Sequence, residues 1–236
     1  MVGILELTEG RGRPETERVG LQGLELLRVR VPAPDKLSGK RLARRVDRGA
    51  KVLARAGVRR VLTAAGFPHW EILARRGLEP VDTAPFCQDA AAPLALAALV
   101  RQGTAPERGT VCLWAPSVSA ALLRAAEALC PRVRFLGVEV PGEGERVARW
   151  LWREFGAAAP GPGLQADAAV WFGPGGGEGR TVLRLYGPAP DLAGLAPMLP
   201  PAVAETGLDP LPAAALLWEA GRLQREKIAF SSIGQT

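Results

Sequence analysis

Histidine is nearly absent from this sequence: His69 stands alone among 236 residues. One imidazole without partners cannot build a nucleophilic triad or a metal centre, so neither chemistry is expected, and no catalytic residue is assigned. Cysteine is almost as sparse. Cys87, Cys112 and Cys130 are odd in number, and their spacings fit neither a disulfide framework nor a zinc knuckle. A reducing, cytoplasmic setting is expected from that usage. Long apolar runs are missing too. The longest, Ala90 to Val100, contains Pro93 and is too short to span a bilayer, so no membrane association is expected. Met1 leads into Val2-Gly3-Ile4-Leu5-Glu6 without a basic or apolar leader, and no signal peptide is expected.

Lysine is also scarce, at Lys36, Lys40, Lys51 and Lys227, whereas arginine, alanine, glycine and proline abound. That usage fits a GC-rich bacterial genome, and it discounts the sequence pI of 9.9. Hydrophobic residues make up 47% and charged residues 23%, ordinary for a globular chain. The length suits one large domain or two small ones. Only 6% of residues are aromatic, so the core must rest on Leu, Val and Ala, with six Trp as large anchors. The net charge of +6 is unevenly spread. Residues 1–60 hold 15 Lys+Arg against 7 Asp+Glu, while the remainder holds 15 against 17. Such asymmetry marks a surface for anionic partners.

In the first half, Gly3 to Leu7 and Leu24 to Val31 read as strands, the latter ended by Pro32 and Pro34. A helix is expected from Ser38 to about Ala56, with Leu42, Val46, Ala50 and Leu53 on one face and Gly57 after its end. A strand over Val58–Ala64, a short helix over His69–Arg76 and a short strand over Glu79–Thr83 follow. An Ala/Leu-rich helix runs from about Ala92 to Arg101.

The second half alternates more clearly. Strands are expected at Thr110–Trp114, Val133–Val140 and Ala168–Phe172, with helices at Ala120–Leu129 and about Glu145–Phe155 between them. Short connections between alternating elements favour a parallel sheet. Ala157 to Gly163 is a Pro/Gly loop, Thr181 to Tyr186 a strand, Pro188 to Pro210 irregular, Leu211 to Leu223 a helix, and Lys227 to Phe230 a last strand. No internal repeat is evident. The expected fold class is α/β, with a Rossmann-like parallel sheet in the second half and a smaller α/β region in the first. The expected boundary lies near residues 103–109, giving an N-terminal region over 1–105. A Rossmann-like domain with a C-terminal strand–helix extension would then cover 106–236.

Residues 108–173 resemble the nucleotide-binding half of Rossmann-like dehydrogenases, such as the shikimate dehydrogenase group. The resemblance implies an NAD(P) site where the first strand runs into G-x-G-x-x-G. Those glycines let backbone approach a diphosphate at a helix N-terminus. The equivalent stretch here, Ala115-Pro116-Ser117-Val118-Ser119-Ala120, has no glycine, and Pro116 removes an N–H. The resemblance is therefore to a degenerate member, expected to hold no cofactor. Glu139 stands where the group puts its ribose-binding acid.

The run Gly173-Pro174-Gly175-Gly176-Gly177-Glu178-Gly179 meets a strand rather than opening a helix with Gly-Lys-Ser/Thr, so it reads as a flexible hairpin or crossover loop, not a phosphate loop. The candidate ligand-binding residues are Ser117, Ser119, Glu139 and Gly142 in the second half and Thr63, Gly66 and His69 in the first. All sit near expected carboxyl ends of strands. The plainer role of His69 is at the surface or capping a helix. Cys87, just ahead of a helix, could be acidified by the helix dipole. Arg41, Arg44, Arg45, Arg48, Lys51 and Arg55 form a cationic helix face opposite Leu42, Val46 and Leu53, suited to an anionic partner. Trp150 and Trp152 are two residues apart on one helix, so one of them points outward, which suggests a homodimer. The favoured function is a non-catalytic or lapsed Rossmann-like scaffold that binds a partner or small ligand. The alternative is an NAD(P)-dependent or other Rossmann-like enzyme with a divergent site.

Overall fold

The computed structural model describes residues 1–10, 12–34, 39–156 and 165–232. In chain order the elements are β1 (Val2–Thr8), β2 (Glu15–Leu21), β3 (Leu24–Pro32), α1 (Gly39–Arg55), β4 (Arg60–Leu62), α2 (Trp70–Ala74) and β5 (Glu79–Pro80). Then come α3 (Ala84–Asp89), α4 (Ala91–Arg101), β6 (Thr110–Trp114), α5 (Ala120–Leu129), β7 (Phe135–Glu139), α6 (Gly144–Phe155), β8 (Ala166–Trp171) and β9 (Gly179–Arg184). Last are β10 (Leu195–Pro197), α7 (Pro201–Ala204), α8 (Pro210–Glu219) and β11 (Phe230–Ser232). The expected helix start at Ser38 and the loop Ala157 to Gly163 lie outside the described residues.

The chain divides into two compact units. One holds Met1–Asp82 and Leu199–Arg222; the other holds Thr83–Met198 and the segment from Leu223. The division thus falls at Asp82/Thr83 rather than near residues 103–109. The cause is α4, whose Ala and Leu residues are apolar nearly all round. A helix of that kind must be enclosed, and α4 packs on β8, β9, β10, β11 and α5 of the second unit.

The first unit has a five-stranded sheet of order β2-β3-β1-β4-β5. β1 pairs in parallel with β3 and β4, and β4 with β5, while β2 runs antiparallel to β3 at the edge. β2 was not expected from sequence. Its residues Glu15, Thr16, Glu17 and Arg18 show no buried alternation, because most of the strand is exposed. What makes it a strand is the turn at Gln22 and Gly23, with φ of 47° and 80°. Two successive left-handed residues match the twist of a two-residue hairpin. Glu17 and Glu6 then hold Arg28 and Arg30 in ion pairs of 3.0–3.8 Å. Helix α1 lies on β3 and β1, burying Val46, Gly49, Ala50 and Leu53 in a cluster with Leu5, Val29 and Val31. A Cβ on Gly49 would sit 2.7 Å from Val31 Cγ2, so glycine is what lets the helix come this close.

The second unit has a four-stranded, fully parallel sheet of order β7-β6-β8-β9. It is a Rossmann-like, parallel α/β sheet. In the dinucleotide-binding half of the same class the third strand lies beyond the second; here the third, β8, pairs with the first. Val111, Leu113, Leu136, Ala168, Val170 and Leu183 fill the face on which the helices pack. The alternate residues Cys112, Trp114, Asp167, Trp171 and Val182 are half-exposed. Parallel sheets are usually covered on both faces, so this partly open face stands out. The parallel strands β3-β1-β4-β5 of the first unit follow the same second-first-third-fourth order. Sequence hid that likeness because the first crossover is the hairpin strand β2 in one unit and α5 in the other.

The glycine run 173–179 connects the parallel strands β8 and β9 and is a crossover. At its end, Gly179 is pressed on β8: an added Cβ would lie 2.9 Å from Ala169 Cβ and 3.1 Å from its backbone nitrogen. Backbone cannot yield as a side chain can. Gly179→Ala is expected to destabilise the protein by about 1–3 kcal/mol, read in urea melts as a lower midpoint at unchanged slope.

Candidate ligand-binding site

In sheets of this class ligands settle outside the carboxyl ends of the strands, in the crevice where strand order reverses. In the second unit that reversal lies between β6 and β8. There the turns after the two strands pack on each other. Pro116 stands over Gly173, where an added Cβ would meet Pro116 Cδ at 2.9 Å. The Phe172 N–H donates to the Trp114 carbonyl at 2.9 Å, and the Ala115 N–H to the Glu139 carbonyl at 3.1 Å, so the strands stay joined past their ends. Two donors are missing from this turn. Pro116 has no N–H, and the Leu122 N–H at the start of α5 is taken by Ser119 Oγ at 3.2 Å.

The open space is displaced sideways. Trp114, the last residue of β6, is in register with Glu139 of β7 and Trp171 of β8. A recess of about 610 Å³ lies over the end of β7, lined by Trp114, Glu139, Val140, Pro141, Gly142 and Glu145 among others. A second, of about 280 Å³, lies on the half-exposed sheet face and includes Cys112, Trp114, Glu139, Trp171, Gly177 and Glu178. Trp114 and Glu139 line both recesses. Among the lining residues every charged group is a carboxylate.

The glycine run closes over this face. Trp171 Nε1 donates to the Gly177 carbonyl at 3.0 Å. A side chain at Gly176 would overlap the Trp171 indole, and one at Gly175 would come within 3.3 Å of Trp114. Arg184 lies 5.0 Å from the Trp171 ring centroid and pairs with Asp191 at 3.0 Å. Cys112 Sγ donates to Glu139 Oε1 at 3.5 Å. Burial, followed by the Glu139 charge, pushes the Cys112 thiol up to about 12. Burial, and then Glu127, also raises Cys130. Neither thiol is a ready nucleophile, since the thiolate is the reactive form.

Of the sequence candidates, Glu139 and Gly142 line the larger recess, with Gly142 turning the chain at φ 74°. Ser119 caps α5, and Ser117 is exposed on the preceding turn. Thr63, Gly66 and His69 lie in the first unit. Thr63 is buried; its hydroxyl donates to the Ala64 carbonyl at 3.2 Å, and its own carbonyl accepts the Asp209 N–H at 2.9 Å. Burial raises the Asp209 carboxyl, opposed by the bond it accepts from the Leu211 N–H. Gly66 makes a left-handed turn at φ 70°. His69 precedes α2 but gives it no side-chain cap. Its ring meets Phe67 edge-on at 5.7 Å, and its buried Nε2 has no hydrogen-bond partner among the described residues. Cys87 lies inside α3 rather than ahead of a helix, and is fully buried. Among the described residues no group of three or more His, Cys, Asp or Glu could hold a metal. No helix among them is long and apolar enough to cross a membrane.

Sequence reasoning missed Trp114, Trp171 and the carboxylates Glu145 and Glu178 as lining groups. The available signal was phase: Trp114 alternates with Leu113 and Trp171 with Val170, which puts each Trp on the face opposite the core.

The fold is that of a Rossmann-like α/β protein, with Pro116 packed on Gly173 at the reversal of strand order. No protein-family model matches the chain, and no curated protein matches it. Among solved structures it is similar to L-tryptophan dehydrogenase from Nostoc punctiforme, at 16% identity and a TM-score of 0.28, covering 61% of this chain and 44% of that one. It is also similar to the shikimate 5-dehydrogenase-like protein HI0607, at 14% identity and a TM-score of 0.25, covering 72% and 65%. The chain spans less than two thirds of either protein.

The thiol environment sets an expectation. At pH 8.5 Cys112 should be alkylated by iodoacetamide at least about tenfold more slowly than glutathione, because little thiolate is present. Glu139→Gln removes one of the groups raising the thiol and should speed the reaction. Site-resolved mass spectrometry reads both rates; labelling of Cys112 as fast as glutathione would contradict the geometry.

Proposed function

We propose that this chain is a non-catalytic Rossmann-like scaffold that binds a small neutral or cationic ligand beside Trp114 and Glu139. One observation carries the reading. Pro116 packs on Gly173 at the strand-order reversal, where this class of sheet would seat a diphosphate, while the adjoining recess stays open. An indole face suits a flat or polyhydroxylated surface, and a carboxylate accepts hydrogen bonds from hydroxyl or ammonium groups. The carboxylate lining disfavours phosphates.

A second reading, an NAD(P)-dependent or other enzyme with a divergent site, is favoured by one feature. Glu139 ends the second strand of the parallel sheet, where dinucleotide-binding folds carry a ribose acid. The two readings part on the diphosphate.

Saturation-transfer NMR with adenosine, NADH and NADPH separates them. Adenosine is expected to receive saturation, and both dinucleotides much less. Glu139→Gln should weaken adenosine by roughly tenfold or more, as for a lost hydrogen bond to a charged group. Stronger transfer to either dinucleotide than to adenosine would favour the enzyme, and no transfer to any of the three would remove the site.

A further inference from the structure

The cationic surplus of residues 1–60 is sorted by the fold. Arg28 and Arg30 are neutralised by Glu6 and Glu17, Arg18 by Glu25, and Arg60 by Glu219. Arg45 turns back to donate to the Pro32 carbonyl at 2.6 Å. Asp47, the one acid on α1, is claimed by Arg76 in a two-pronged pair at 2.7 Å. Arg41, Arg44, Arg48, Lys51 and Arg55 are all exposed, and among the described residues none of them has an ion-pair partner. Arg59, also exposed, continues the row beyond the helix end. The neighbouring helix α2 adds Glu71, and Arg75 caps its end.

The five helix residues are spaced 3, 4, 3 and 4. At 100° per residue they fall within about 80° of arc, on the side opposite Val46, Ala50 and Leu53, along roughly 21 Å of axis. We propose that this stripe is a docking surface for the phosphate backbone of duplex DNA, without sequence preference. α1 carries no Asn or Gln to read a base edge. It exposes no large apolar side chain, so it lacks what inserts into a membrane surface and what anchors a protein interface. It has no aromatic residue for stacking single-stranded bases. Four of the five cations are arginines, whose forked donors match phosphate oxygens. The groove of B-form DNA admits a helix, whereas that of A-form RNA is too narrow.

Fluorescence anisotropy with a labelled 20-base-pair DNA duplex tests this on the full chain between 50 and 200 mM salt. With five phosphate contacts the log–log slope should be about −4.5, a loss of roughly 500-fold across that range. Arg44→Ala with Arg48→Ala should flatten the slope by about two. Arg108→Ala with Arg132→Ala removes the same charge from exposed sites on the second unit and should leave it nearly unchanged. Circular dichroism melts would establish that both variants fold. No binding at 50 mM salt overturns the proposal. So does equal loss in the two double variants, which would mark a general charge effect. Tighter binding to an RNA duplex, to phosphatidylserine vesicles or to poly-glutamate would overturn it in favour of that partner.

Discussion

Where β6 ends, a proline from the next turn rests on a glycine from the turn after β8. Much of the second unit follows from that contact. A Rossmann-like parallel sheet leaves a gap at its reversal of strand order, and most members of the class use the gap for a ligand. Here the Pro116 ring packs over it on Gly173, which has no Cβ to hold it off. The backbone bonds from Ala115 and Phe172 hold the two neighbouring strands beside it. With the gap closed, the next strand end, β7, is the one that faces open space. Glu139 and Trp114 line the open space there, and the glycine run folds across the sheet, held by the Trp171 indole.

The sequence foretold the second unit well where side-chain period and connection length act together. Strand β6 and helix α5 fall at the bounds that their pattern predicts, since Val111 and Leu113 face inward and Pro131 lies just past the end of the helix. Strand order was not legible, because it depends on which face each crossover takes, and no local pattern encodes that. β2 was missed for a different reason. An exposed edge strand needs no apolar alternation, and Glu15, Glu17 and Arg18 conceal it. The position of α4 was misjudged because its residues are apolar on every side and point to no particular sheet. Glu139 and Gly142 could be found from their place after a strand. Phase gives the indoles their face, but their neighbours follow only from the register that sets Trp114 between Glu139 and Trp171.

The two units treat charge in opposite ways. In the first, salt links tie Glu6, Glu17, Asp47 and Glu219 to Arg28, Arg30, Arg76 and Arg60, and the arginines on the outer face of α1 are left over. Exposed pairs of this kind add little to stability, typically 0–1 kcal/mol; their effect here is to decide which cations stay free. In the second unit the recesses carry carboxylates and no cation. A chain with a net charge of +6 therefore presents an acidic hollow on one sheet and a basic ridge beside the other.

The first sheet is finished differently at its two borders. On one side β2 shows Glu15, Glu17 and Arg18 to solvent; on the other β5 is two residues long and ends in Pro80. A border strand with free backbone groups invites a foreign strand to add itself. Charge at one margin and a short, proline-ended strand at the other deny it a template. The sheet can hold five strands without either border serving as a template for a sixth.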